Sequence, residues 1–205
     1  MISNGKIKLL EAWKSSVFAE FGIAEIMRIS KKRSKPWVFN ALKSMAKSRL
    51  LNSKRKGNSD IYSLNLNNPF LIQALQYIES QNSLDFPQMG IIEEIINKVP
   101  IKNYCLVVFG SYAENKQKGS SDIDVCFLIE GRQIEKKLKP YFNEIKLHHA
   151  VSADEHYITF NEFKEMLLRD EENLGKQIFR SHKVFFNADI YYQLIKEAHK
   201  NGFRA

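Results

Sequence analysis

The chain has 205 residues, with 31 Lys/Arg against 23 Asp/Glu, a net charge of +8 and 44% hydrophobic residues. That length suits one large domain or two small ones with a real core. No apolar run reaches transmembrane length and the N-terminus lacks a signal-peptide apolar core, so no membrane association and a cytoplasmic setting are expected.

Two cysteines, Cys105 and Cys126, fall in expected strands. They read as reduced core thiols rather than a disulfide framework, and no histidine stands at ligand spacing to make a zinc site with them. Residues 1–66 hold 14 Lys/Arg and 4 Asp/Glu, a net of +10, while the remaining 139 residues carry −2. A basic first third on a nearly neutral remainder points to two jobs in one chain, the first a candidate for phosphate backbones.

From the N-terminus, Leu9, Leu10, Trp13, Val17 and Phe18 fall on one face of an expected helix. A second short helix covers "GIAEIMRIS", with Ile23, Ile26 and Met27 apolar. After the basic turn "KKRS", Ser34 is the expected N-cap of a third helix, with Pro36 just inside it. That helix, "KPWVFNALKSMAKSRL", buries Val38, Leu42 and Met45. Lys35, Asn40, Lys43, Ser44 and Lys47 fall mostly outward. "NSKRKGNSD" reads as a polar turn around Gly57, and "IYSLNL" alternates as a strand does.

Three helices followed by a hairpin with a basic tip resemble the winged helix-turn-helix family over about residues 5–66. The resemblance implies DNA binding through residues 31–56. Lys35, Asn40, Lys43 and Lys47 would lie on the helix that enters the groove, and Lys54, Arg55 and Lys56 at the wing. A protein-interaction module with a solvated basic face is the other reading. The expected division is a winged helix at 1–68, a linker helix and linker at 69–85, and a second domain at 86–205. The helix "NNPFLIQALQYIESQNS" places Phe70, Leu71, Ala74, Leu75 and Ile78 on one side, and 80–90 is turn-prone.

In the C-terminal part, "GIIEEIINKV" is an expected helix, and "NYCLVVF" and "DIDVCFLIE" are expected strands, the first apolar on both faces. "EIKLHHAVS" and "EHYIT" read as strand, "NEFKEMLLRDEENLGKQIF" as one helix, "KVFF" as an edge strand and "DIYYQLIKEAHKNG" as a final helix stopped by Gly202. The fold class is therefore α+β: an N-terminal largely helical unit, then a mixed sheet with flanking helices.

One stretch carries chemistry: "FGSYAENKQKGSSDIDV", residues 109–125. On a strand, Asp122 and Asp124 point the same way. Two adjacent carboxylates repel, and a hard divalent cation, magnesium or manganese, relieves them. The Gly110-Ser111 turn after a strand offers backbone N–H groups and a hydroxyl suited to phosphate.

With Ser121 before the first aspartate, this stretch resembles the signature of the DNA polymerase beta-type nucleotidyltransferases, in particular the minimal nucleotidyltransferase branch. The resemblance implies transfer of a nucleoside monophosphate from a nucleoside triphosphate, with ATP the expected donor, to a hydroxyl on a protein or nucleic acid. A partner protein of toxin type is one such acceptor.

Gly110, Ser111, Lys116 and Lys118 would bind the nucleotide, and Asp122 and Asp124 two metal ions. Asp154 is the favoured third carboxylate and base, with Glu155 or neither as alternatives. Active members often carry an arginine where this chain has Glu114; Lys116, Lys118 or Lys176 would have to substitute. His148 and His149, adjacent on an expected strand, would face opposite sides, and His156 would share a face with Asp154 as a structural residue. A homodimer is also expected. A DNA-binding regulator that only senses nucleotide, and an adaptor without nucleotide, are the competing readings.

Overall fold

A computed structural model describes residues 3–14, 16–118, 121–149 and 152–204. The chain divides into two compact units, the first running to Ile78 and the second from Glu79 to Arg204. The boundary falls within α4 (Pro69–Ser83).

The first unit runs α1 (Asn4–Leu10), a 3-10 turn (Glu11–Trp13), β1 (Phe21–Gly22), α2 (Ile23–Ile29), α3 (Lys35–Lys47), β2 (Leu51–Lys56) and β3 (Ser59–Leu64). The first helix is shorter than its apolar spacing predicts. It tightens into 3-10 geometry and stops before Val17, and the indole N–H of Trp13 donates to the Ala19 carbonyl 2.9 Å away, drawing the chain back towards β1. β1, which local pattern does not reveal, pairs antiparallel with β3 and makes a three-stranded sheet in the order β1-β3-β2.

Ser34 stands at the N-cap of α3 with Pro36 in the first turn, and Val38, Leu42 and Met45 are buried. The hairpin is longer than the expected polar turn. Lys54, Arg55 and Lys56 belong to β2, and Lys56 pairs with Ser59, leaving a two-residue turn. Gly57 at φ +59 supplies the left-handed conformation that such a turn demands. On α4, Leu71, Ala74, Leu75 and Ile78 are buried, but Phe70 is exposed, so it does not join their side.

The second unit contains α5 (Met89–Lys98), β4 (Tyr104–Phe109), α6 (Gly110–Ala113), β5 (Ile123–Ile129), α7 (Arg132–His149), β6 (Ala153–Thr159), α8 (Phe160–Leu168), α9 (Leu174–Arg180), β7 (His182–Phe186) and α10 (Ala188–Lys200). Its four-stranded sheet has the order β6-β5-β4-β7. β4 is antiparallel to β5 and β7, while β5 and β6 are parallel, so the sheet is mixed.

β4 and β5 are buried along their length because helices cover both faces. Tyr104, Leu106, Val108, Val125 and Phe127 pack against Ile91, Ile92 and Ile95 of α5 and Leu138, Phe142 and Ile145 of α7. α8, α9 and α10 lie against the other face, with Phe163, Ile178 and Tyr191 fully buried. Cys105 and Cys126 are free thiols in this core. Near the start of the unit, the buried carboxylate of Glu79 accepts from Tyr192 Oη at 3.0 Å and from the Val184 amide at 3.4 Å, which ties the end of α4 to β7 and α10.

Two assignments in the second unit also differ from the sequence reading. Residues 144–149 are helical, the end of α7, and Ala150 and Val151 lie outside the described residues. Ile134, Leu138, Phe142 and Ile145 keep helical spacing, and tertiary packing of that face outweighs the short alternation of "IKLHH" and the internal Pro140. The helix expected over 161–179 is two. Thr159 and Glu162 form a capping box at the start of α8, and Asn173 caps α9 through the Lys176 amide after the charged break at 169–172. No helix among the described residues is long and apolar enough to cross a membrane.

Candidate functional site

The sheet end where β4 finishes and β5 begins gathers the chemistry-bearing side chains. β4 ends at Phe109, and Gly110 turns the chain at φ +66 into α6. A Cβ on Gly110 would collide with Asp124 Oδ2 and lie 3.1 Å from its Cγ. The glycine is therefore required twice, for a left-handed backbone and for the space that the carboxylate fills. Asp124 accordingly lies against the turn that opens the Gly110-Ser111 segment.

Asp122 immediately precedes β5, and Asp124 is its second residue. Asp124 pairs in register with Asp154 across the parallel β5–β6 ladder. Burial pushes the Asp124 carboxyl up; the negative charge of Asp154 and, less strongly, of Asp122 push it further, while His156 pulls the other way. Three carboxylates thus converge on one sheet end at an electrostatic cost.

His156 follows Asp154 by two residues. Its Nε2 lies 3.2 Å from Asp154 Oδ2, and its ring centroid lies 5.5 Å from that of Phe109. Glu155 points to the other face of the sheet, where Lys146 Nζ stands 2.5 Å from its Oε2. The two acidic neighbours are therefore separated by the strand, and Asp154 alone shares a face with Asp124.

The donor set suits a hard cation: three carboxylates, one of them held half-buried against backbone, whose repulsion a divalent ion would relieve. They face one another without closing to ligand spacing. Among the described residues, the group of three whose ligand atoms all lie within 4.8 Å is instead Glu94, His148 and His149.

The lysines expected around the phosphate turn make contacts within their own segments. Lys116 Nζ pairs with Glu114 at 2.8 Å, Lys118 contributes its backbone N–H to Ser121 Oγ at 2.9 Å, and Lys176 Nζ donates to the Asp170 carbonyl at 2.9 Å. Gly119 and Ser120, between the turn and the aspartates, lie outside the described residues. Lys183 of β7 is 5% exposed, and its Nζ donates to Asn115 Oδ1 at 2.8 Å, which fastens the segment after α6 to the sheet. Sequence reading passed over Lys183; a lone lysine inside the apolar "KVFF" strand is the signal that marks it.

In the first unit, Lys35, Asn40, Lys43 and Lys47 are exposed on α3. Lys43 Nζ lies 4.4 Å from the Phe39 ring centroid. Two of the basic hairpin residues are engaged: Lys54 with Glu20 at 2.5 Å and Arg55 with Asp60 at 3.3 Å. Lys56 is exposed.

Gly110→Ala is expected to lower the unfolding free energy by at least about 1–2 kcal/mol, the cost of a left-handed L-residue. Adding Asp124→Ala vacates the colliding carboxylate, so the double variant should lose less than the sum of the single variants in denaturant unfolding. Strict additivity would contradict the close approach of Asp124 to the turn.

Residues 91–191 match the family model described as Polymerase beta, Nucleotidyltransferase. No curated protein and no solved structure matches the chain. The matched segment spans the sheet end just described, from α5 into α10, and it supports placing the second unit in the DNA polymerase beta-type nucleotidyltransferase superfamily.

Proposed function

We propose that the protein transfers a nucleoside monophosphate from a nucleoside triphosphate, ATP in the first instance, to a hydroxyl of a protein or nucleic acid. The observation that carries this reading is the register of Asp154 opposite Asp124, beside a Gly110-Ser111 turn that the Asp124 carboxylate touches. A third carboxylate on the neighbouring strand separates a transferring site from one that only senses nucleotide.

In this reading Asp122, Asp124 and Asp154 hold magnesium or manganese, which when bound supplies charge neutralisation for the triphosphate and the departing pyrophosphate. The Gly110-Ser111 turn supplies backbone N–H groups and a hydroxyl to the phosphates. The acceptor hydroxyl oxygen forms a bond to the α-phosphorus as the bond from that phosphorus to the bridging oxygen breaks, releasing pyrophosphate. Asp154 takes the hydroxyl proton, and His156, 3.2 Å from its Oδ2, holds that carboxylate in place. Most of the rate comes from positioning and from charge.

A second reading rests on Glu114. It ties up Lys116 at the point where active relatives often place an arginine, which leaves less positive charge for the triphosphate. Such a site would bind nucleotide without transfer. Incubation with magnesium, each α-labelled nucleoside triphosphate in turn and lysate of the source cells separates the two. Transfer predicts a labelled protein or RNA band that disappears in the Asp122→Asn/Asp124→Asn variant. Thermal stabilisation by nucleotide with no label under any triphosphate would contradict transfer and favour sensing.

We further propose that the first unit is a winged helix that binds DNA through α3 and the β2–β3 hairpin. Its element order, the exposed Lys35, Asn40, Lys43 and Lys47 on α3, and the basic strand end at Lys54–Lys56 support this. Replacing Lys43, Lys47 and Lys56 by Ala should weaken duplex binding and flatten the slope of log K against log salt by about 0.9 for each phosphate no longer neutralised. An unchanged slope would assign this face to a protein partner.

A further inference from the structure

Glu94 lies on α5, and His148 and His149 end α7. Both imidazoles turn to the one carboxylate. His148 Nδ1 is 3.2 and 3.1 Å from the two Glu94 oxygens, and His149 Nε2 contacts Oε2. The ring centroids lie 5.3 Å apart at 74°, so each ring directs a nitrogen inward without stacking on the other. Gly90, one turn before Glu94, lies beside His149: a Cβ there would meet its Cε1 at 3.5 Å, an ordinary contact. The Glu94 side chain is 12% exposed, His149 27% and His148 66%, which gives the cluster a buried floor and an open side.

Charge pairing alone does not call for this arrangement. Lys98 Nζ already stands 2.5 Å from Glu94 Oε1. Two histidines with one glutamate, their ligand atoms all within 4.8 Å of one another, are a donor set used for zinc.

We propose that Glu94, His148 and His149 form a zinc-binding site, distinct from the hard-cation site of the aspartates. Imidazole donors suit zinc and neighbouring transition ions, whereas carboxylates without nitrogen suit magnesium or manganese. Lys98 becomes the outer hydrogen-bond donor to the glutamate, and the exposed side leaves the fourth position to water. A bound ion would fasten the C-terminal end of α7 to α5, a few residues ahead of the strand that carries Asp154.

The test is calorimetric titration of the full chain, stripped with chelator and kept in excess magnesium, with zinc chloride. The wild type should take up one equivalent. His148→Ala, which removes an exposed side chain, should bind at least about tenfold more weakly, a loss on the scale seen for disturbed metal sites. Asp122→Asn/Asp124→Asn should bind as the wild type does, with circular dichroism confirming that both variants fold. No uptake by the wild type, equal affinity in His148→Ala, or uptake lost in the aspartate variant would each overturn the proposal.

Discussion

The second unit is organised around a repulsion. Asp124 is half-buried, Asp154 lies directly across the ladder from it, and Asp122 stands two residues before it. A fold selected for stability alone would not set two further carboxylates, both exposed, beside one whose burial makes charge costly. The elements around them hold them there. Gly110 yields the space that Asp124 fills, the parallel β5–β6 pairing sets Asp154 opposite, and His156 offsets part of the charge.

How legible this was depends on the range of the interactions. β4, β5 and the Gly-Ser turn follow from local pattern, and the structure places them so, with Asp122 just ahead of β5. Asp154 was one of two adjacent candidates, because only strand pairing determines which of them faces Asp124. Glu155 goes to the other face and binds Lys146, an ion pair set by the long-range packing of α7 on the sheet. The role of Lys183 in anchoring Asn115 spans 68 residues and has no local signature beyond an odd charge in an apolar strand.

The histidines show the opposite failure. Taken as a strand, residues 148 and 149 must diverge; on the last turn of α7 they reach the same glutamate. The period decided the conclusion, and "IKLHH" is too short to decide the period while Leu138 and Phe142 lie outside it. The first unit follows a similar rule. α2, α3 and the hairpin were visible because caps, turn glycine and apolar spacing agree. β1 and the early end of α1 were not, because a two-residue strand exists only through its pairing with Tyr62 and Ile61. The basic residues were legible as charge but not as partners, since Glu20 and Asp60 come to Lys54 and Arg55 through the sheet.

Held together, the carboxylates carry a cost that a divalent cation would relieve. Folding raises the Asp124 pKa, so its contribution to stability is present at low pH and is lost as pH rises through the raised value. The direct measurement is the melting temperature of wild type and Asp124→Asn at neutral pH, each with and without magnesium. The metal-free variant should melt above the metal-free wild type, by about 2–4 °C for each kcal/mol of repulsion removed. Magnesium should raise the wild type and leave the variant nearly unmoved. A variant that melts below the wild type, with magnesium acting equally on both, would rule out such a cost.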